Sequence, residues 1–267
     1  MDEIPAGRLV ERYRRARRDP TLAVLEGFHV LKHALRFGAE ILEAVSPSPD
    51  RLIDLARNLA PDLEAWFAAG HVARIPDDVF RQLAPRPPAT GVIGLAARPA
   101  IRPDAVLASP GDAPVVLLDR PARLGNVGAV VRVAAAAGAA GVLTTGFHDP
   151  WHPESLRGSA GLHFALPVAR IDELERSGRP LVALDPDGEP LTAGGLPARA
   201  VLAFGSERKG LDPGLLVAAD ARVALAMRPG VSSLNLATAV AAALYLGWMG
   251  AGGRAGSGRV DNVSGAV

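Results

Sequence analysis

The sequence predicts an α/β protein whose C-terminal part is built on a parallel sheet and whose N-terminal part is a smaller α/β unit. Short apolar runs such as Val115–Leu118 and Val201–Phe204 lack polar alternation and are separated by helical stretches. Such strands are typical of a parallel sheet that helices cover on both faces. Seven prolines between residues 85 and 114 separate the two parts. We therefore predict a domain at 1–98, a linker at 99–113 and a domain at 114–249.

In the N-terminal part, hydrophobic periodicity and turn residues delimit each element. The first is a basic helix at 8–18, which contains Arg8, Arg12, Arg15 and Arg18. Apolar positions recur at helical spacing from 26 to 37, and Gly38 ends that helix. The other predicted elements are strands at 21–25, 41–45, 71–75 and 91–97 and helices at 50–60, from Pro61, and at 77–83.

The C-terminal part alternates strands and helices. Strands are predicted at Val115–Leu118, Gly141–Thr144, 181–184, Val201–Phe204 and 222–225. Helices are predicted at 126–137, 153–157, 171–175 and 233–248. Residues 250–267 are rich in glycine and serine, so we expect a disordered tail there.

The composition excludes several classes of protein. Of 267 residues, 49% are hydrophobic and 21% charged, and the net charge of +1 is unlike that of strongly basic nucleic-acid binders. No apolar run reaches the roughly 20 residues of a membrane helix, and residues 1–5 lack the apolar core of a secretory signal. Without cysteine there is no disulfide and no Cys-ligated metal. We expect a cytoplasmic enzyme.

The first candidate motif follows the strand that ends at Leu118. It contains Asp119, Gly125 and Asn126, and Arg132 lies in the helix that begins near Asn126. The free N–H groups at the start of a helix attract phosphate or another anion. A buried guanidinium in that helix would need a partner. The alternative is that Asn126 only caps the helix and that Arg132 is solvated or structurally paired.

The second motif, residues 205–211, follows the strand Val201–Phe204. Gly205 lets a ligand approach the backbone closely, and Glu207 offers a hydrogen-bond acceptor. The motif resembles a P-loop only superficially, because Leu211 stands where the phosphate-binding lysine belongs. The alternative is an ordinary charged surface turn.

The third motif, residues 231–238, precedes the last predicted helix. Ser232 or Ser233 could simply cap that helix, with Asn235 as an ordinary polar residue of its first turn. All three motifs follow apolar runs, and loops at the carboxyl ends of parallel strands converge on one crevice. These motifs therefore predict a ligand site.

Other residue patterns give weaker signals. His29 and His33 share a helix face but have no acidic third ligand at a recognisable spacing, which argues against a metal site. Ser159 is not in a Gly-x-Ser-x-Gly context, so hydrolase chemistry has little support. The first motif lacks the third glycine of a dinucleotide fingerprint, which weakens the alternative of a nucleotide-dependent oxidoreductase.

In this order and at these spacings, the three motifs resemble the SpoU (TrmH) family of RNA ribose 2′-O-methyltransferases, within the SPOUT superfamily. The resemblance covers residues 114–249 and includes Arg157-Gly158-Ser159-Ala160-Gly161 and Leu166-Pro167-Val168. Residues 25–35, with the strand at 91–97, are similar to the L30e-like substrate-binding domain that is often fused to this family.

The resemblance implies a SPOUT α/β-knot, which is a parallel sheet with a C-terminal trefoil knot. It also implies a homodimer with the active site at its interface, S-adenosylmethionine as cofactor, and no metal. The implied catalytic residues are Asn126, Arg132, Glu207, Ser233 and Asn235. The implied cofactor contacts are Gly205, Leu225, Leu234, Thr144, Gly146, Leu184 and Met227. One departure is that Leu225-Ala226-Met227 replaces the family's Ile-Pro-Met, which removes a fixed φ angle.

The implied reaction is methylation of a ribose 2′-hydroxyl in structured RNA. The L30e-like domain favours 23S ribosomal RNA, with tRNA or a catalytically silent RNA-binding member as alternatives. Arg8, Arg12, Arg15 and Arg18 are expected to contact RNA, unless their helix is only solvated. Because a guanidinium stays protonated in proteins, we expect Arg132 to position the target phosphate and stabilise negative charge rather than act as the base.

Overall fold

The computed structural model describes residues 5–175 and 177–248, and their contacts divide the chain into two units. Among the described residues, the first unit comprises 5–100 and 151–165, and the second comprises 101–150 and 166–248. The predicted disordered tail at 250–267 lies outside the described residues. Within the described ranges, no helix is both long enough and apolar enough to cross a membrane.

The first unit is a four-stranded sheet with helices packed on it. Its elements are α1 (Ala6–Ala16), β1 (Leu22–Glu26), α2 (Phe28–Arg36), β2 (Ile41–Ser46), α3 (Pro49–Leu59), a 3₁₀ turn (Pro61–Leu63), α4 (Glu64–Ala68), β3 (Ala73–Arg74), α5 (Asp77–Gln82) and β4 (Ile93–Ala97). The strand order is β1-β4-β2-β3, with β4 antiparallel to β1 and β2. Tyr13 and Ile93 are fully buried in its core.

The second unit begins with α6 (Pro103–Ala108), β5 (Val115–Leu118), α7 (Leu124–Ala137) and β6 (Gly141–Thr144). Helix α6 lies inside the predicted linker at 99–113, and its Val106 and Leu107 are buried in the core of this unit. A six-residue helix is too short to show a hydrophobic periodicity. The prolines around it therefore led to the prediction of a linker.

Residues 151–165 pack with the first unit, although the predicted domain at 114–249 includes them. They form α8 (Pro153–Gly158) and a 3₁₀ turn (Leu162–Phe164). Arg157 Nη1 lies 2.6 Å from Oε2 of the buried Glu26. A side chain at Gly161 would overlap the backbone of Val30. These partners are far apart in the sequence, so motif spacing could not indicate this packing.

The rest of the second unit completes a six-stranded sheet. Its elements are β7 (Val168–Arg170), β8 (Leu181–Pro190), β9 (Val201–Phe204), α9 (Pro213–Ala218), β10 (Ala221–Ala224), α10 (Leu236–Ala242) and a π-helical turn (Ala243–Trp248). All neighbouring strands are parallel, in the order β10-β8-β9-β5-β6-β7. The predicted parallel sheet is therefore confirmed.

Two helix predictions in this unit were wrong. Residues 171–175 are not helical, because Ile171 N–H donates to the carbonyl of Thr144 (2.9 Å) and continues the pairing of β7 along β6. The last helix begins at Leu236 instead of residue 233, since Asn235 is its N-cap.

Candidate functional site

The candidate site lies in the second unit, at the carboxyl ends of the central strands. In the sheet register, Phe204 at the end of β9 is flanked by Leu118 at the end of β5 and by Leu184 of β8. The first and second motifs follow Leu118 and Phe204, so both loops leave the sheet side by side. This is the position at which open parallel sheets bind ligands.

A cavity of about 300 Å³ opens beside these strand ends. That volume is at the lower limit of ordinary ligand sites. Its lining includes Ser233 and five predicted cofactor contacts, which are Leu184, Gly205, Leu225, Met227 and Leu234. Thr144 and Gly146 are not part of the lining, because they belong to the end of β6, on the other side of β5 from β9. The second and third motifs therefore build the cavity.

The second motif forms a loop closed on itself. The backbones of Ser206 and Gly210 exchange two hydrogen bonds of 3.1 Å each. A Cβ atom on Gly205 would overlap the backbone of Gly210 and Leu211. A residue with a side chain at position 205 would therefore force open the loop that lines the cavity.

Glu207 joins the second motif to the first. Its carboxylate accepts hydrogen bonds from the side-chain amide of Asn126 (2.5 Å) and from the backbone N–H of Ala122 (3.2 Å). Partial burial acts to raise the pKa of Glu207. The hydrogen bonds from Asn126, from its own amide and from Ala122, together with the charge of Arg123, outweigh that effect, so the pKa lies below the usual 4.5. Glu207 is therefore ionised at neutral pH.

Asn235 joins the third motif to the first. Its Oδ1 accepts the N–H of Ala237 (2.9 Å) as the N-cap of α10, and its Nδ2 donates to Oδ1 of Asn126 (3.3 Å). The alternative interpretations of both asparagines were wrong: Arg123, not Asn126, is the N-cap residue of α7, and Asn235, not a serine, caps α10. Asn126 thus donates to Glu207 and accepts from Asn235, linking all three motifs.

Within a single chain, Arg132 is the one predicted catalytic residue that does not lie with the others. It lies on α7, is exposed, and makes no hydrogen bond or ion pair within the described part of the chain. It does not line the cavity. The other four predicted catalytic residues lie close together: Asn126, Glu207, Ser233 and Asn235. None of them forms a hydrogen bond or an ion pair with Arg132.

The sequence analysis missed Asp185 near the site, and it placed Asp119 in the first motif without giving it a role. Asp185 follows Leu184 in β8 and lines the cavity. Asp119 is buried and accepts hydrogen bonds from Thr145 Oγ1 (2.8 Å) and from the N–H of Asp212 (2.8 Å). The position of Asp119 at the end of a strand was the available signal. Among the described residues, no group of His, Asp and Glu side chains could hold a metal ion.

The predicted RNA-binding arginines lie on or just after α1 in the first unit. Arg12 lies 3.5 Å from Glu43, and Arg15 donates to Glu11 at 3.0 Å. Arg8 and Arg18 are exposed and have no ion pair among the residues that the structure describes. Half of this predicted surface is therefore neutralised by carboxylates of the same unit.

The comparisons with known proteins agree with this geometry. Residues 113–245 match the SpoU rRNA Methylase family. A 23S rRNA (adenosine(1067)-2′-O)-methyltransferase of Streptomyces azureus is 30% identical over 258 residues, which cover 89% of this chain and 90% of that protein. The chain belongs to the SpoU rRNA methylase family. It spans about half the length of other curated relatives that it matches, 51% and 50% in two cases.

Solved structures share the fold over nearly the whole chain. An RNA 2′-O ribose methyltransferase is 29% identical, with a TM-score of 0.69 over 90% of this chain and 93% of that one. The SpoU methyltransferase AviRb from Streptomyces viridochromogenes, in complex with AdoMet, is 22% identical and has a TM-score of 0.71 over 91% and 96% of the two chains. The predicted α/β fold with a parallel sheet is therefore confirmed as that of SpoU methyltransferases.

Proposed function

We propose that this chain is an S-adenosylmethionine-dependent methyltransferase that methylates a ribose 2′-hydroxyl in 23S ribosomal RNA. The observation that carries the proposal is the cavity at the strand ends, with Asn126, Glu207 and Asn235 joined by hydrogen bonds beside it. The activity of the Streptomyces azureus relative supports both the reaction and the RNA class.

The lining of the cavity fits S-adenosylmethionine, which the related AviRb binds. Leu184, Leu225 and Leu234 offer an apolar surface for an adenine ring. Asp185 and Glu207 place two carboxylates in the lining, which suits the positive charge of a sulfonium. When bound, the cofactor supplies an activated methyl group, so the protein has to provide binding and orientation.

The chain's own residues orient the acceptor ribose. The cofactor would supply the methyl group, and the part of the chain's own residues is to hold the 2′-hydroxyl and to stabilise the charge that develops on its oxygen. Holding the reacting atoms in line supplies much of the acceleration in such a transfer. Asn126 and Asn235 orient the ribose and Glu207 fixes Asn126. Arg132 binds the target phosphate and stabilises developing negative charge.

A homodimer is part of the proposal. Arg132 is exposed and lies outside the cavity lining of its own chain, so we place Arg132 of one protomer at the cavity of its partner. Tyr245 and Leu246 of the π-helical turn are 48% and 43% exposed, and covering them would favour association. The same proposal includes the C-terminal trefoil knot and a cytoplasmic location. It also includes an L30e-like first unit that binds RNA through Arg8, Arg12, Arg15 and Arg18.

Two measurements test the function. Calorimetry should detect binding of S-adenosylmethionine, and a chain that does not bind it contradicts the proposal. Mapping of 2′-O-methyl groups in total RNA from cells with and without the gene should then show loss of one site in 23S rRNA. Loss of a tRNA site instead would favour the alternative substrate.

The role of Arg132 has its own test. Arg132→Ala should lower the methyl-transfer rate by about 100-fold or more, in keeping with the loss of one preorganised donor, while cofactor binding is retained. A rate near that of the wild type with intact cofactor binding would contradict the assignment.

A further inference from the structure

Most arginine side chains of the first unit form ion pairs with carboxylates. Their distances lie between 2.5 and 3.0 Å in the pairs Arg36–Asp62, Arg57–Glu64, Arg74–Asp50 and Arg81–Asp77. In α1, Glu11 accepts from two arginines, Arg14 and Arg15. A guanidinium that already has a carboxylate partner gains less from an RNA phosphate, because the existing pair must first be broken.

Three basic residues of the second unit are different. The side chains of Arg123, Arg208 and Lys209 are exposed, and none forms a hydrogen bond or an ion pair within the described residues. We call these three residues the basic rim. Their charge is available to a ligand, in contrast to that of the paired arginines in the first unit.

The basic rim lies beside the candidate site. Arg208 lines the cavity directly. Arg123 is close enough to Glu207 for its charge to act on that carboxylate, and its carbonyl accepts the N–H of Asn126 (3.0 Å). Lys209 N–H donates to Oγ of Ser206 (3.3 Å), a residue of the cavity lining. Helix α7 has no acidic residue in its first turn, so its N-terminal partial positive charge adds to the rim.

We propose that the basic rim binds backbone phosphates of the RNA next to the acceptor nucleotide. This inference rests on the proposed function. A ribose 2′-hydroxyl lies beside its own 3′-phosphate, so a ribose presented at the cavity brings at least one phosphodiester to its edge. Arginine can bind two phosphate oxygens with its planar fork, and lysine binds phosphate as a point charge. The rim thus holds the RNA strand at the reaction centre.

The test uses the full-length protein and an unmodified in vitro transcript of bacterial 23S rRNA. The double variant Arg123→Gln/Lys209→Gln leaves the cavity lining intact, since neither residue belongs to it. The matched control Arg57→Gln/Arg81→Gln removes the same charge from two ion-paired, exposed side chains. Dissociation constants are measured from 0.05 to about 0.5 M salt, and melting temperatures confirm that both variants are folded.

Each phosphate contact contributes about 0.7 to 0.9 to the slope of log affinity against log salt. Removal of two contacts should therefore lower the magnitude of the slope by about 1.5 and weaken binding by about 10- to 30-fold at 0.15 M salt. In methylation assays, KM for RNA should rise with kcat nearly unchanged, because these contacts are the same before and during the reaction. Arg208→Gln should lower the slope by about a further 0.7.

A slope for the double variant equal to that of the control would overturn the inference. Failure of the proposed function looks different, since the wild-type protein would then bind no S-adenosylmethionine or methylate no RNA. The wild-type protein could instead bind RNA with a salt slope that depends on the rim and yet transfer no methyl group. That result would support phosphate binding by the rim and refute only the proposed enzymatic activity.

Discussion

Replacing Glu207 by glutamine tests whether the hydrogen bonds among the three motifs support catalysis. Glu207 accepts from Asn126 Nδ2 at 2.5 Å and from Ala122 N–H at 3.2 Å, and its lowered pKa keeps it ionised at neutral pH. Glutamine preserves the shape but has only one accepting oxygen. Its NH₂ group would then face one of the two donors, so one hydrogen bond is lost and the other becomes neutral.

The size of the effect follows from the two bonds. A hydrogen bond to a charged group contributes about 1.5–3 kcal/mol, and a neutral one about 0.5–1.5 kcal/mol. Because Glu207 is accessible to water, which replaces part of what is lost, we take about 2 kcal/mol for the whole change. If the network must be intact in the transition state, kcat/KM should fall about 30-fold.

The assay is the initial rate of methyl transfer from radiolabelled S-adenosylmethionine to an rRNA transcript. Glu173→Gln is the control, because it makes the same charge change at an exposed residue of the same unit. A Glu207→Gln protein with kcat/KM within twofold of the control would show that the bridge between the motifs has no catalytic role. The hypothesis that Glu207 positions Asn126 would then be refuted.

Three further predictions concern stability. Asn235→Ala should lower the free energy of unfolding by about 1 kcal/mol through loss of the α10 cap, as measured in urea, and Asn235→Asp should restore it; equal midpoints would contradict the cap. Arg179→Met should cost about 3 kcal/mol or more, because the buried guanidinium donates to four backbone carbonyls and one serine hydroxyl, which would lose their donor; a loss below 1 kcal/mol would be inconsistent with this account. Burial, with nearby basic groups, lowers the pKa of His33 below 6.5 despite the hydrogen bond to the Ala160 carbonyl. The unfolded chain then binds the proton more readily, so His33 should reduce stability as the pH falls from 6.5 through its folded pKa, and His33→Gln should flatten the pH dependence of the urea midpoint there.

The sequence determined the parallel sheet because its strands are apolar on both faces, and β5, β6 and β9 have the predicted bounds. The errors have local causes. β7 is only three residues long, and α6 only six, so neither shows a period. Residues 171–175 contain apolar positions at helical spacing, yet Ile171 pairs with β6 instead. Tertiary hydrogen bonding overrides a weak local preference in such short segments.

For the candidate site, the motifs predicted which residues lie near one another but not which hydrogen bonds join them. Asn126 and Asn235 are 109 positions apart, and only the fold places the amide of one against the other. The sequence left open whether Arg132 is buried with a partner or solvated, and the fold shows it to be exposed. Two of the seven predicted cofactor contacts, Thr144 and Gly146, lie at or just after the end of β6, two strands from β9, and do not line the cavity.

Asp119 illustrates a class of site residue whose role the motifs do not reveal. Its two carboxylate oxygens accept from Thr145, which follows β6, and from Asp212, which follows the second motif 93 positions later. One buried carboxylate therefore joins the loops after three adjacent strands, β6, β5 and β9. The closed loop that carries Glu207 is thereby held against the sheet, although Asp119 is not part of the cavity lining. Since such a residue acts through the backbone of other loops, its role depends on the strand order and becomes visible only once the sheet is known.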